Sequence, residues 1–314
     1  MRARVQELTP LERALRLRRL GLLGTLGPED RVLVTRCVEE RRYRRGQFLS
    51  VLGEPVSSLH VVIEGRVRRR GVGREDEELG PGATIGLLAT LAEAGEEIEL
   101  EALEDTLTLE LSGKVIEAML EYSPRLLLGT VRDLGELLLG ALRDLPDGAY
   151  LAPAAEGGLP TRQGALGVLD KVRWLRRSGL LDGHNVDAFL EMANSFDEAR
   201  FEPGEKLWQS GEASGKVFLL LEGTVRGKLA GGGSIRFGPG FGLGYAESIC
   251  EQPRWYRAVC ETPIVALGFH VSALLEILEA HFELALQALG VWAARVLDLG
   301  RADAQDLAAD PPAE

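Results

Sequence analysis

"GEPVSSLHVVIEGRVR" occupies residues 53–68, and "GEASGKVFLLLEGTVR" occupies residues 211–226. Both open on Gly-Glu, run through an apolar stretch, turn at Glu-Gly and leave on Val-Arg. They lie 158 residues apart, and the same offset relates other pairs. "LRRLGLLG" (17–24) answers to "LRRSGLLD" (175–182), and "GPGATIG" (80–86) to "GPGFGLG" (238–244). Gly46 and Gly204, Leu49 and Leu207, and Arg42 and Arg200 obey it too. No gap is needed across about 70 positions, roughly 20 of them identical, where unrelated segments share about one in fifteen. The chain is a duplication, and its fold is the fold of the repeat.

Each copy shows the same plan. A helical start (17–40 and 170–198) precedes short strands marked by alternation and glycine turns. "LHVVIEGRVRRRG" and "VFLLLEGTVRGKLAGGG" each read strand, turn, strand. After the Gly-Pro-Gly turn come a short helix and two further strands, "IELEALEDTLTLEL" and "WYRAVCETPIVALGF". A long helix closes each copy. The first carries Leu127, Val131, Leu134, Leu138, Ala141 and Leu145 at steps of 3 and 4. The second carries Leu275, Leu278, Phe282, Ala285, Leu289, Trp292 and Val296 in the same way. Such a seam fits packing on the chain's own barrel or a helix–helix contact, and a homodimer through 275–296 is the expectation. Residues 146–167, rich in Pro, Gly and Ala, read as a linker. The predicted domains are therefore 1–145 and 168–309, with 146–167 between them and 310–314 as a tail.

Composition narrows the function classes. The 314 residues suffice for two cores. No apolar run is long enough to span a membrane, and Glu7 and Glu12 interrupt the basic start in a way that neither a signal nor a transit peptide does. A cytoplasmic protein is expected. Cys37, Cys250 and Cys260 form no CxxC pair and read as reduced packing thiols; His60, His184, His270 and His281 show no metal-ligand spacing. No metal, no cofactor and no catalytic constellation is expected. The net charge is −12, yet residues 1–74 hold 17 Arg against 8 acids. This basic start reads as compositional bias, since 31 of 36 basic residues are Arg, or as a face for an acidic partner, the chain's own acidic half included.

Gly46, "GEP" at 53–55, "LHVVIEGRVR" and "GPGATIGLLATL", with their second-copy counterparts, resemble the cyclic nucleotide-binding domain family. That family includes catabolite activator proteins and the regulatory subunits of the cyclic-AMP-dependent kinase. The resemblance covers about 17–145 and 170–309. It implies a mainly β fold with helices: two tandem jelly-roll β-barrels, each preceded by helices and followed by a long helix. It also implies a phosphate-binding cassette, in which a glycine turn and a short helix offer backbone N–H groups to a cyclic phosphate. A Glu after the cassette glycine takes the ribose hydroxyl, and an Arg further on pairs with the phosphate.

Tested residue by residue, both cassettes depart from that pattern. In copy one Leu87 follows Gly86, and Glu96 falls at the Arg position, where a carboxylate repels phosphate. Copy one is predicted not to bind a cyclic nucleotide. In copy two Tyr245 follows Gly244, Glu247 lies two further on, and the offset puts Arg254 at the Arg position. Trp255 and Tyr256 beside it read as base-stacking partners or as aromatics packed on the barrel. The acids at Glu93, Glu96, Glu97, Glu99, Glu101, Glu104 and Asp105 read as ligand chemistry given up. His60, opposite Phe218 in the offset, reads as a barrel-wall residue.

The tail "LDLGRADAQDLAADPPAE" leaves no room for a helix-turn-helix, so no DNA binding is expected. Two functions remain. One is a non-enzymatic regulatory or scaffolding protein that uses two degenerate domains to engage a protein partner or itself. The other is a sensor whose second domain binds a nucleotide or other small anion through Arg254 and moves its last helix.

Overall fold

The computed structural model describes residues 8–9, 12–13, 34–51, 56–71, 76–92, 98–152, 166–177 and 186–300. The motif 17–24, most of its counterpart 175–182, Glu93, Glu96, Glu97 and the tail lie outside the described residues.

The chain divides into two compact units, Met1–Thr130 and Val131–Glu314. In the first, β1 (Glu39–Tyr43), β8 (Thr106–Ser112), β3 (Ser58–Glu64) and β6 (Thr84–Ile85) form one antiparallel sheet in that order. β2 (Phe48–Ser50), β7 (Ile98–Ala102), β4 (Val67–Gly71) and β5 (Glu77–Leu79) form the other. Eight strands in two four-stranded sheets make the expected jelly roll. Alternation assigns the faces. Val62, Val67, Ile85 and Leu100 meet inside the barrel with Leu49, Leu79 and Ala83 around them. Leu59, Val61, Leu109 and Leu111, one residue out of phase with Val62 and its opposite Thr108, are buried on the other face. Helix α1 (Leu87–Ala92) follows β6, and α2 (Gly113–Tyr122) and α3 (Pro124–Arg143) follow β8.

The second unit repeats the plan at the 158-residue offset. β10 (Asp197–Phe201), β17 (Ile264–His270), β12 (Lys216–Glu222) and β15 (Gly242–Leu243) form one sheet. β11 (Lys206–Trp208), β16 (Tyr256–Cys260), β13 (Val225–Leu229) and β14 (Ser234–Phe237) form most of the other. Seven of the eight strands begin 158 residues after their counterparts, β14 excepted. Two helices, α4 (Val168–Arg177) and α5 (Val186–Ser195), precede this barrel; α6 (Tyr245–Ile249) follows β15, and α7 (Val271–Ala280) and α8 (Phe282–Leu299) follow β17.

Two features differ from the expected plan. The break between the units falls inside α3, not after residue 145. The start of the segment read as a linker is also structured: β9 (Tyr150–Leu151) pairs in parallel with β14 and adds a fifth strand, because Arg236 N–H donates to the Ala149 carbonyl and Gly238 N–H to that of Leu151. The helix seam is largely used within its own unit. Leu278, Leu289 and Trp292 are buried there, while Leu275, Phe282 and Val296 are half-buried.

Candidate functional site

The second cassette is built on a backbone that only glycine adopts comfortably. Gly244 has φ +78°, and a Cβ there would lie 2.1 Å from Nη1 of Arg254 and 3.2 Å from Trp208. α6 starts at the next residue, and all five of its residues are buried. Ser248 Oγ donates to the Gly244 carbonyl at 2.5 Å and accepts from Gly215 N–H at 3.0 Å, which fixes the cassette against the start of β12.

Arg254 stands where the resemblance placed a phosphate-binding arginine, but it is only 3% exposed and faces inward. Its Nη1 donates to Oε1 of Glu247 at 3.2 Å and to the Gly244 carbonyl at 3.1 Å; its Nη2 donates to the Lys216 carbonyl. The guanidinium lies over the Trp208 ring, 4.0 Å from its centroid. Glu247 is 2% exposed. Burial raises its pKa, against the lowering effects of its own backbone N–H, of Arg254 and of Arg143. A carboxylate of the protein thus holds the arginine that a ligand phosphate would need.

The other predicted residues join the same packing. Tyr256 is buried with its ring 5.6 Å from Trp208 and 5.3 Å from Phe237, and Trp255 meets its edge at 5.0 Å. Tyr245 packs between Phe241 and Trp292, each 6.2 Å away. Burial pushes the Tyr245 hydroxyl up to about 12 and that of Tyr256 well above its usual value. The cassette is covered from outside as well. A Cβ on Gly135 of α3 would lie 2.8 Å from Ile249 Cγ2 and 3.5 Å from the Ala246 carbonyl, so the helix backbone passes directly over α6. Arg132 on the same helix pairs with Glu251 at 2.9 Å.

The resemblance and the offset place Arg254 and Tyr256 here as ligand contacts, and the structure packs both inside with Trp208, which the sequence reading did not single out. The signal was available: Trp208 stands where copy one has Ser50, an abrupt change in size at an offset-matched position.

In the first cassette Gly86 has φ +87°, and a Cβ there would meet the Ser58 carbonyl at 2.6 Å and Val56 at 2.9 Å. The glycine is kept by the turn, independently of any ligand. Leu87 is half-buried at the start of α1, and Ala89, the counterpart of Glu247, is buried.

The acids after the cassette have a different role from the one expected of them. Register sets Glu101 opposite Arg68 and Glu99 opposite Arg70. Arg70 Nη1 reaches Glu99 at 2.9 Å and Glu101 at 3.4 Å, and Arg68 reaches Glu101 at 3.5 Å. Arg66 meets Glu104 at 3.2 Å, and Asp105 accepts from Arg45 N–H at 3.2 Å. Glu99, Glu101 and Glu104 are cross-strand partners of the arginine-rich strand β4 and its flank, not remnants of a ligand site. Among the described residues, Arg66, Arg68 and Arg70 of the basic start are answered by acids of their own barrel.

Residues 40–123 match the cyclic nucleotide-binding domain family, in agreement with the jelly roll and cassette described above. Among curated proteins, uncharacterized NTE family proteins of Mycobacterium bovis and Mycobacterium tuberculosis are 29% identical over 117 residues, 37% of this chain. The aligned part is 20% of those relatives, so the chain spans about a fifth of their length. Among solved structures, the regulatory domain of Toxoplasma gondii PKA with cAMP is 16% identical, with 91% of this chain and 96% of that one covered at a TM-score of 0.34. The regulatory subunit of a cAMP-independent protein kinase A from Trypanosoma cruzi, bound to guanosine, is 16% identical, with 94% and 95% covered at 0.37. The N-terminal domain of a transcriptional regulator from Streptomyces coelicolor A3(2) is 25% identical, with 42% and 99% covered at 0.37. No helix among the described residues is long and apolar enough to cross a membrane.

Proposed function

We propose that the chain is a non-enzymatic regulatory or scaffolding protein of the cytoplasm. Its two repeats, 1–145 and 168–309 joined by 146–167, keep the cyclic-nucleotide-binding frame without its ligand and engage a protein partner or a second copy. One observation carries this reading: the buried Arg254–Glu247 pair, stacked on Trp208, completes the second cassette from within. In the first cassette, Leu87 leaves the ribose contact unmade.

An anion sensor working through Arg254 would have to pull the guanidinium from Glu247, Gly244 and Lys216, and would leave a buried carboxylate unpaired. Breaking a buried pair costs about 3–5 kcal/mol, a factor of roughly one hundred to a few thousand in affinity. Calorimetric titration of the full chain with cyclic AMP, cyclic GMP and a cyclic dinucleotide tests the reading. No binding tighter than about 1 mM is expected. Micromolar binding of any of the three would sink it.

A further inference from the structure

The two barrels differ on one interior wall. In the second, Phe218 meets Phe201 edge-on at 5.4 Å and stacks with Trp208 at 6.3 Å, and Lys216 Nζ sits 5.2 Å from the Phe218 centroid. The matching residues of the first barrel are Tyr43, Ser50 and His60, and β8 carries Thr108 and Glu110 where β17 carries Ala266 and Gly268. With the bulk gone, a cavity of about 720 Å³ opens at the β1–β2 corner, lined by Arg41, Tyr43, Gln47, Phe48, His60 and Glu110 among others. None of the described cassette residues 84–92 lines it.

His60 is 7% exposed, and its Nδ1 lies 3.4 Å from Thr108 Oγ1. Its Nε2 has no partner among the described residues. Burial holds the imidazole below its usual pKa, with Glu110 raising it and Arg41 lowering it further, so the ring is neutral. Burial would raise the pKa of Glu110, but hydrogen bonds from Arg41, at 2.6 Å, and from Ser58 outweigh it and keep the carboxylate charged. Arg41 also reaches Glu39 at 3.0 Å. Arg42, which also lines the cavity, reaches Glu40 at 3.6 Å, and Glu40 also holds Arg13 at 2.9 Å. Arg13, Arg41 and Arg42 thus stand against Glu39, Glu40 and Glu110, and the wall offers donors and acceptors with its charges balanced. Gln47 accepts from Arg44 N–H through Oε1, which leaves its amide N–H groups without a partner among the described residues. Tyr43 is half-buried, and Phe48 stands 47% exposed at the mouth, so two flat rings border the opening.

We propose that this cavity binds a small, uncharged, planar molecule that carries both a hydrogen-bond donor and an acceptor, of the aromatic-amide type. An ion would leave an unbalanced charge beside the Arg41–Glu110 pair, whereas a neutral amide pairs with His60 and Gln47 and stacks on Tyr43 and Phe48. The cavity falls within the size of small-molecule sites, roughly 300–1,000 Å³. The proposal is independent of the cassettes, since Arg254 takes no part in it.

Benzamide, benzoate and benzamidine have one shape and charges of zero, minus one and plus one, and saturation-transfer NMR on the full chain compares them. Benzamide is expected to bind saturably with a Kd on the order of 1 mM, at least about tenfold tighter than either ion. His60→Phe, the residue the second barrel carries at 218, is expected to abolish the signal, and Gln47→Ala to weaken it several-fold. Tyr43→Ala, at a half-buried position, is the second variant should His60→Phe not fold, and it too is expected to lose binding. Absence of saturable benzamide binding up to about 20 mM overturns the proposal. So does an ion that binds as well as benzamide, or unchanged binding in the folded His60 or Tyr43 variant.

Discussion

In the second barrel, Trp208, Arg254 and Glu247 close on one another and on Tyr256, and the interior is aromatic. Two of the corresponding residues of the first barrel, Ser50 and Ala89, are small, and its wall at His60 and Glu110 is polar and open. The strands that carry these residues start at matched positions. The glycines that turn the backbone, Gly86 and Gly244, are constrained in both by a left-handed backbone, φ +87° and +78°, that side chains rarely adopt. One backbone has therefore tolerated two opposite interiors. The turn glycines are held by the geometry of the fold, and the residues that face inward are held only by one another.

The largest expected effect falls on the closed barrel. Glu247→Ala leaves a guanidinium buried without its carboxylate and should cost about 3–5 kcal/mol in denaturant unfolding of the second unit. The double variant Glu247→Leu with Arg254→Met should recover most of that loss, because an apolar pair of similar volume replaces the ion pair. If the single and double variants lose equally, the pair is not the lock described above.

Next comes an exchange of residues between the barrels. Trp208→Ser removes a buried ring that touches Arg254, Phe218 and Tyr256, and about 3–5 kcal/mol is expected. The reverse change, Ser50→Trp, enters a half-buried position in the more open barrel and should cost about 1–3 kcal/mol at most. Thermal unfolding of both variants measures the asymmetry, and equal costs would dissolve the contrast between the interiors.

The smallest effect is a slope with pH. His60 has a folded pKa below its ordinary 6.5, so the unfolded chain binds the proton more tightly. Its contribution to stability is complete above about pH 6.5 and is lost as the pH falls through the depressed folded value. The first unit should lose stability over that window, and His60→Phe should flatten this part of the profile, read as the midpoint of urea unfolding at pH 7.5 and 5.5.

Much of the fold was legible because repetition doubles every weak signal. A Glu-Gly turn seen once is a turn; seen twice at one offset, with Gly46 and Gly204 in step, it marks a repeat, and the jelly-roll arrangement is what the resemblance carried by that repeat implies. The site was legible only in part. Arg254 could be placed by the offset, but the residue it would face could not. Glu247 lies seven positions before it and Trp208 forty-six, and only the folded barrel brings the three together. The acids at 99, 101 and 104 misled for a related reason. Along the chain they crowd the cassette, whereas in space they answer arginines some thirty residues earlier across a strand ladder. The helix seam of 275–296 is apolar, but periodicity does not say which surface it covers, and Trp292 covers Tyr245.

Gly135 has a practical consequence for anyone who would cut the molecule. The sequence repeats with one period, yet the helix that shields the second cassette is written at the end of the first repeat. A fragment begun at residue 168, where the second copy starts by its motifs, would be expressed with α6 stripped of its cover and β14 of its added strand. The unit that recurs in the sequence and the unit that folds are offset from each other. A dissection meant to yield an independent second domain should begin near residue 124, at the first turn of α3.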